Sequence, residues 1–187
     1  MSAADVSALQ EKFGEQVLST VEFRGEHTVV VALGALREVM EHCRTELAYE
    51  MLIDVCSLDH MGEEPRYEMV YELATVNDSK HLRVRSKVSE DEEVPTMVDL
   101  WSTADWHERE VWDMMGIRFA EHPDLRRILM WEGYPFHPLR KDFPLAGKPS
   151  EMPDVAFTGV APLEGGPFVT QPGTDRVTGE PRAKGES

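Results

Sequence analysis

The stretch HEREVWD carries four charged side chains within six residues: Glu108, Arg109, Glu110 and Asp113. Neighbouring carboxylates beside a histidine can perform general acid–base catalysis. One hypothesis is therefore a stand-alone enzyme in which His107, Glu108 and Asp113 form the acid–base site. The alternative is a helix face whose charges are solvated or paired, because Arg109 and Asp113 stand four positions apart.

The cysteines and short motifs argue against the common metal, nucleophile and nucleotide sites. HERE matches the first half of H-E-x-x-H, but Val111 stands where the second zinc-binding histidine is needed. Neither Cys43 nor Cys56 belongs to a C-x-x-C, so we predict two reduced core thiols rather than zinc or iron–sulfur ligands. The chain also lacks a G-x-S-x-G motif and the Gly-rich loops of nucleotide sites.

Charge is unevenly distributed along the 187 residues, whose formal net charge is -16. Residues 1–116 hold 10 Lys and Arg against 25 Asp and Glu, whereas residues 117–145 hold five against four. An acidic body repels nucleic acid and anionic lipid, which argues against both as partners. The chain contains no apolar run of the roughly 18–20 residues that cross a bilayer. Its acidic N-terminus is not typical of a secretory signal.

The proline-rich segment 117–145, hereafter the docking segment, follows the charged stretch. Proline fixes φ, so a stiff extended segment loses little entropy when it binds. Aromatic side chains together with Arg dominate the energetics of protein interfaces. These features favour a rigid docking peptide over a catalytic loop. The prolines and large apolar residues concerned are Pro123, Pro135, Pro138, Pro144, Trp131, Tyr134, Phe136, Leu139 and Phe143.

Cations of the docking segment can bind the carboxylates that precede it. The planar guanidinium of Arg binds a carboxylate through two hydrogen bonds, and such a pair tolerates burial when every charge has a partner. We therefore predict a polar network that holds the docking segment on its helix. The predicted pairs join Arg126 and Arg127 to Glu108, Glu110 or Asp113.

Hydrophobic patterns in the first hundred residues alternate between helix and strand. AADVSALQEKFG and ALREVMEHCRTEL place apolar residues at helical spacing, and TVEFRGEHTVVVAL predicts a hairpin around Gly25. Three strand patterns follow, and in the last, LRVRSKV, apolar residues alternate with a cationic face. EDEEVP is predicted to break the sheet and expose its charge. This order predicts an α+β fold, a mostly antiparallel sheet of about five strands covered on one side by helices.

The charged stretch is itself predicted to form a helix. Ser102 or Thr103 is expected to be its N-cap, and Gly116 its C-terminal stop. The predicted apolar stripe consists of Ala104, Val111, Trp112 and Met115.

The patterns divide the chain into three parts. Residues 1–100 are predicted to form the α+β domain, and residues 101–145 the helix and docking segment. Residues 146–187 are rich in Gly and Pro, a composition typical of chain with little regular structure. Apolar residues spaced along this part favour an extended C-terminal arm that wraps a partner, with a solvated tail as the alternative.

The sequences EREVWDMMGIRFAEHPDLRRILM and GYPFHPLRKDFPL closely resemble the C-subunit family of proton-translocating NADH-quinone oxidoreductase, respiratory complex I. The resemblance covers roughly residues 20–145, because YEMLIDVCSLDH, RYEMVYELATV and LRVRSKV are similar to the central strands of that family. The family's signature positions fall on Glu108, Arg109, Glu110, Asp113, Gly116, His122, Pro123, Asp124, Arg126, Arg127, Pro138, Leu139, Arg140, Lys141, Asp142 and Pro144.

The resemblance implies a scaffold role within a translocase. A family member sits in the peripheral arm on the cytoplasmic face of the bacterial inner membrane, without a membrane span. It packs mainly against the D subunit of the complex, which forms the quinone site together with the B subunit. It carries no catalytic residue, metal or cofactor; FMN and the iron–sulfur clusters belong to partner subunits. Related chains serve membrane-bound hydrogenases and chloroplast-type dehydrogenases, which remain the alternative function.

Overall fold

The computed structural model describes residues 3–78 and 80–144. These residues form three α-helices: α1 (Ala3–Phe13), α2 (Leu33–Thr45) and α3 (Ala104–Met115), with a short 3-10 turn at Gly14–Gln16. The strands are β1 (Val17–Phe23), β2 (Glu26–Val31), β3 (Met51–Asp59), β4 (Tyr67–Ala74), β5 (His81–Val88), β6 (Glu93–Pro95) and β7 (Arg118–Ala120).

The first five strands form one sheet in the order β1-β2-β5-β4-β3. Strands β1 and β2 form the predicted hairpin, and β3, β4 and β5 form an antiparallel meander. The chain leaves β2 through α2 and returns so that β5 lies parallel to β2. The predicted α+β class with a mostly antiparallel five-stranded sheet is confirmed.

The three helices contribute to a single hydrophobic core with one face of the sheet. Strand β5 shows the division between the faces most clearly. Leu82, Val84 and Val88 are fully buried, whereas Arg83 and Lys87 reach the opposite face. The predicted alternation is therefore confirmed, because successive side chains of a strand point to opposite faces.

The stretch EDEEVP does more than break the sheet, which corrects the prediction. Glu93–Pro95 form β6, which pairs in parallel with β7, and Val94 is fully buried opposite Phe119. A strand of three residues is too short for its pattern to show in the sequence. This small sheet joins the start of the docking segment to the first hundred residues.

The predicted C-terminal end of α3 is confirmed, whereas the predicted N-terminal capping bond is not formed. Gly116 ends the helix with a φ of 81°, and its N–H donates to the carbonyl of Trp112 at 2.9 Å, as predicted. Thr103 is at the N-cap position but makes no side-chain capping bond. Its hydroxyl instead donates to the carbonyl of Leu52 at 3.3 Å and so ties α3 to β3.

One cysteine differs from its predicted environment. Cys43 is a buried core thiol, and burial raises its pKa to about 12. Cys56 is exposed on β3 rather than buried. The prediction was wrong because Cys56 lies on the edge strand of the sheet.

Among the described residues, every helix is too short or too polar to span a membrane. The predicted division of the chain near residue 100 stays a prediction. The third predicted part, 146–187, lies outside the described residues.

Candidate docking surface

Asp113 anchors the first half of the docking segment. Its side chain is fully buried, and one carboxylate oxygen accepts the backbone N–H groups of Ile128, Leu129 and Met130 at 3.1, 2.7 and 2.8 Å. The other oxygen accepts the guanidinium of Arg127. Burial alone would raise the pKa of this carboxyl, but the four hydrogen bonds bring the net pKa below its usual value.

Arg127 is held on three sides. Its guanidinium binds the Asp113 carboxylate and also donates to the Asp113 carbonyl at 3.2 Å. It lies over the rings of Trp112 and Tyr134, at 5.5 and 5.6 Å from their centroids. The predicted pairing of Arg127 with the helix is therefore confirmed, and Asp113 is its partner.

Arg126 and Arg109 act differently from the prediction. Arg126 forms an exposed pair with Asp124 at 2.8 Å, outside the helix contact. Arg109 directs its guanidinium to the carbonyls of Arg126 and Arg127, at 3.2 and 3.3 Å, instead of to Asp113 four residues away. Tertiary contacts with the docking segment thus replace the predicted pair within the helix.

The close contact at Gly116 brings the second half of the docking segment onto α3. A Cβ atom at Gly116 would lie 2.8 Å from the ring of His137. Nδ1–H of His137 donates to the carbonyl of Asp113 at 3.0 Å, and the N–H of Leu139 donates to the carbonyl of Met114 at 3.0 Å. Glycine is needed here for space as well as for its positive φ.

A second carboxylate, Asp59 at the end of β3, anchors the C-terminal end of the docking segment. It accepts the backbone N–H of Lys141 at 2.7 Å. Arg66 binds Asp59 through two hydrogen bonds of 2.8 Å and also reaches Glu90 and Asp142. These hydrogen bonds lower the pKa of Asp59 against the opposing effect of burial.

Arg140 completes this second anchor. It donates to Asp142 at 2.9 and 3.0 Å and to Glu90 at 3.1 Å, and it lies over the ring of Tyr67. The sequence singled out Arg140, Lys141 and Asp142 but missed Asp59, Arg66 and Glu90, which are remote in sequence. An Asp at the end of β3 gives no local signal of this role.

Glu108 is fully buried and serves the small sheet rather than the docking segment. It accepts the Thr96 hydroxyl at 2.6 Å and the Met97 N–H at 2.7 Å. Burial raises its pKa to about 7. The side chain of His122 is also buried, 3.9 Å from Glu108, and its Nε2–H donates to the carbonyl of Asp105 at 3.3 Å.

The three residues of the acid–base hypothesis have separate partners. His107 lies 3.3 Å from Asp54, Glu108 binds Thr96 and Met97, and Asp113 binds the docking segment. Each buried carboxylate is occupied by structural hydrogen bonds. The described geometry therefore gives no support to a shared acid–base site.

Large apolar side chains remain exposed on the clamped segment. Leu129, Trp131 and Leu139 are each more than half exposed. Aromatic rings of the same segment also contact one another. The ring centroids of Trp131 and Tyr134 are 4.5 Å apart, and those of Phe136 and Phe143 are 6.0 Å apart. Glu110, Pro123 and Pro144 are also exposed.

Among residues 3–78 and 80–144, no cluster of three His, Cys, Asp or Glu side chains could hold a metal ion. The prediction that FMN and iron–sulfur clusters belong to partner subunits stays a prediction.

The docking segment was predicted to be extended, but after β7 the described residues follow a series of turns. The fold and the two anchors define a class: an α+β domain that presents a clamped, partly apolar segment. A family model described as the respiratory-chain NADH dehydrogenase 30 kDa subunit matches residues 29–149. The chain belongs to this family.

Curated relatives agree with this membership. The C subunit of NADH-quinone oxidoreductase from Geotalea uraniireducens is 42% identical over 147 residues, which cover 78% of this chain and 90% of the relative. The C subunit from Geobacter metallireducens is 45% identical over 144 residues, which cover 76% and 89%. The C 2 subunit from Rhizobium etli is 40% identical over 162 residues, which cover 83% and 84%.

A solved structure shares the fold. It is a chain of the membrane-bound sulfane sulfur reductase, an archaeal respiratory membrane complex. The TM-score is 0.65 at 21% identity, and the match covers 75% of this chain and 84% of the other.

Proposed function

We propose that this chain is a non-catalytic scaffold subunit in the peripheral arm of a proton-translocating NADH-quinone oxidoreductase. Family membership and relatives named as the C subunit of that enzyme support this assignment. In this proposal FMN and iron–sulfur clusters on other subunits carry electrons from NADH to quinone. The chain works by holding its neighbours in place, on the cytoplasmic side of the inner membrane.

The observation that carries the proposal is the clamping of the docking segment at two points. Asp113 fixes residues 127–130, and Asp59 fixes Lys141. Between these anchors, Trp131 and Leu139 remain about half exposed. A pre-ordered segment with exposed aromatic and aliphatic side chains is suited to bind another protein, because little entropy remains to be lost.

The partner we propose for this segment is the D subunit, which forms the quinone site, with the B subunit nearby. Buried carboxylates that bind backbone N–H groups give the segment one defined shape. Such a shape holds a neighbouring subunit in register, which long-range electron transfer to quinone requires.

A second candidate is the equivalent subunit of a related membrane-bound hydrogenase or chloroplast-type dehydrogenase. The solved structure with the same fold belongs to a respiratory membrane complex of a different kind. Proteins that co-purify with the chain separate the two candidates. Flavin and NADH oxidation support the first, and a nickel–iron subunit supports the second.

The proposal is tested by affinity purification of the tagged full-length chain from solubilised membranes. The wild-type chain should bring down the subunits of an NADH-oxidising complex. Arg127→Ala should reduce the amount of assembled complex, because it leaves Asp113 with an unpaired buried charge. Arg126→Ala is the matched control, since Arg126 is exposed in its pair with Asp124. Normal amounts of active complex with Arg127→Ala would contradict the clamp as the basis of docking.

A further inference from the structure

The edge strand β3 borders a groove that ends at the second anchor, the contact between Asp59 and Lys141. The groove runs along residues 54–60 and has a volume of about 530 Å³. Val111 and Met114 of α3 line it, together with Leu139 and Lys141 of the docking segment. Leu58 and Leu139, two apolar residues that line it, are 41% and 52% exposed.

The backbone of β3 has hydrogen-bonding capacity on this side. Among the strands of the described residues, β3 is an edge strand with β4 as its one neighbour. Every second residue of an edge strand directs its N–H and C=O groups away from the sheet. An extended chain in the groove could therefore add a strand to β3 and place alternate side chains against α3.

The position of α3 gives the groove its depth. Thr103 bonds the carbonyl of Leu52, His107 lies 3.3 Å from Asp54, and Lys141 bonds Asp59. Helix and strand thus run side by side in the same direction, and the docking segment crosses the end where both finish. Residues of β3, α3 and the docking segment thus line one groove.

Charge distinguishes between the possible occupants. Asp54 and Glu110 line the groove, and both are accessible to solvent. A second copy of this chain carries the same net charge of -16 and is disfavoured by repulsion. A neutral or basic segment with Lys or Arg near Asp54 and Glu110 complements the groove.

We propose that the groove between β3 and α3 receives an extended segment of a partner subunit, which adds as a strand to the edge of β3. The segment places apolar side chains against Val111 and Met114 and a cationic side chain toward Asp54 and Glu110. This inference rests on the proposed function, because it identifies a second contact with the same assembly.

Cys56 provides a native reporter for occupancy of the groove. Cys56 stands on the edge strand that borders the groove and is exposed, whereas Cys43 is buried in the core. Partial burial raises the pKa of the Cys56 thiol, so the free chain and the complex are labelled at the same pH. In the purified full-length chain N-ethylmaleimide should modify Cys56 and leave Cys43 unmodified. In the assembled complex, labelling of Cys56 should slow at least tenfold.

Photo-crosslinking identifies the occupant. A benzoylphenylalanine at Ser57, inside the groove, should cross-link to an extended segment of another subunit. Val21 on β1, the opposite edge of the sheet, is the matched control position. A cross-link from Ser57 to residues 145–187 of the same chain, or to a second copy, would overturn the inference.

Charge reversal tests the cationic contact. Glu110→Lys should weaken retention of the partner about tenfold at low ionic strength, whereas Glu22→Lys on β1, an exposed residue, should not. If Cys56 stays fully reactive in an assembled complex, the groove inference fails and the proposed function stands. If no complex assembles around the wild-type chain, the proposed function itself fails.

Discussion

Asp113 and Arg127 form a buried ion pair that joins α3 to the docking segment. The same carboxylate also accepts three consecutive backbone N–H groups, so one side chain fixes four successive residues. Asp113 is fully buried and Arg127 is 11% exposed. The pair is therefore part of the fold as well as of the proposed contact surface.

Removal of the carboxylate should destabilise the protein strongly. Asp113→Ala leaves the guanidinium of Arg127 and three backbone N–H groups without their acceptor, which typically costs about 3–5 kcal/mol. The free energy of unfolding of the full-length chain in urea measures this loss. Asp124→Ala, which breaks an exposed pair with Arg126, should cost about 1 kcal/mol or less. Equal effects of the two substitutions would refute the anchor role of Asp113.

The contact between Gly116 and His137 predicts a steric effect. Gly116→Ala places a Cβ atom 2.8 Å from the His137 ring at a positive φ, so we expect a loss of about 1–3 kcal/mol and faster proteolysis within 134–144. Gly34 in α2 is the matched control, because a Cβ atom there meets nothing within 4 Å. Gly34→Ala should leave stability unchanged or raise it by up to about 1 kcal/mol. If residues 134–144 of Gly116→Ala are cleaved as slowly as those of the wild type, the result would count against the contact.

Glu108 predicts a pH dependence of stability with a definite sign. Its folded pKa of about 7 lies above the ordinary value of 4.5, so the folded state binds the proton more tightly. The contribution of Glu108 to the free energy of unfolding is fully present below about pH 4.5 and is lost as the pH rises to about 7. At 1.36 kcal/mol per pKa unit, the loss is roughly 3 kcal/mol. Three charged or titratable groups face this carboxyl: Asp105 raises its pKa, Arg37 lowers it, and Nε2 of His122 lies 3.9 Å away.

Urea unfolding at pH 5.0 and pH 7.5 measures this effect. The wild type should lose stability between the two values, and Glu108→Gln should show a smaller loss because its amide does not titrate. If the free energy of unfolding changes by the same amount between pH 5.0 and pH 7.5 in both proteins, Glu108 is not responsible for the pH dependence.

The sequence predicted the main elements because their patterns are long and regular. The amphipathic spacing of α2 and the alternation of β5 repeat over enough residues to be read without tertiary information. The strands β6 and β7 have three residues each, and they pair with each other across some 25 positions of the chain. Nothing within Glu93–Pro95 distinguishes a strand from a charged loop.

The candidate site was predicted only in part, because the burial of its charged residues depends on contacts between distant parts of the chain. The charges of Arg127 and Asp113 suggested a pair, but the sequence did not show that Glu108 and Asp113 are fully buried. Their burial depends on backbone N–H groups that only the folded chain brings close. Asp59 and Arg66 were missed because the end of β3 meets the docking segment across some 80 residues.

The central claim is that the docking segment is covered by another polypeptide. Hydroxyl-radical footprinting measures it directly at Leu129, Trp131 and Leu139, which are 58%, 51% and 52% exposed in the chain alone. Trp101, only 4% exposed, is the internal reference. We predict that oxidation of the three residues falls at least fivefold in the complex extracted from membranes, while that of Trp101 stays low. Equal oxidation of the three residues in the free chain and in the intact complex would contradict the account.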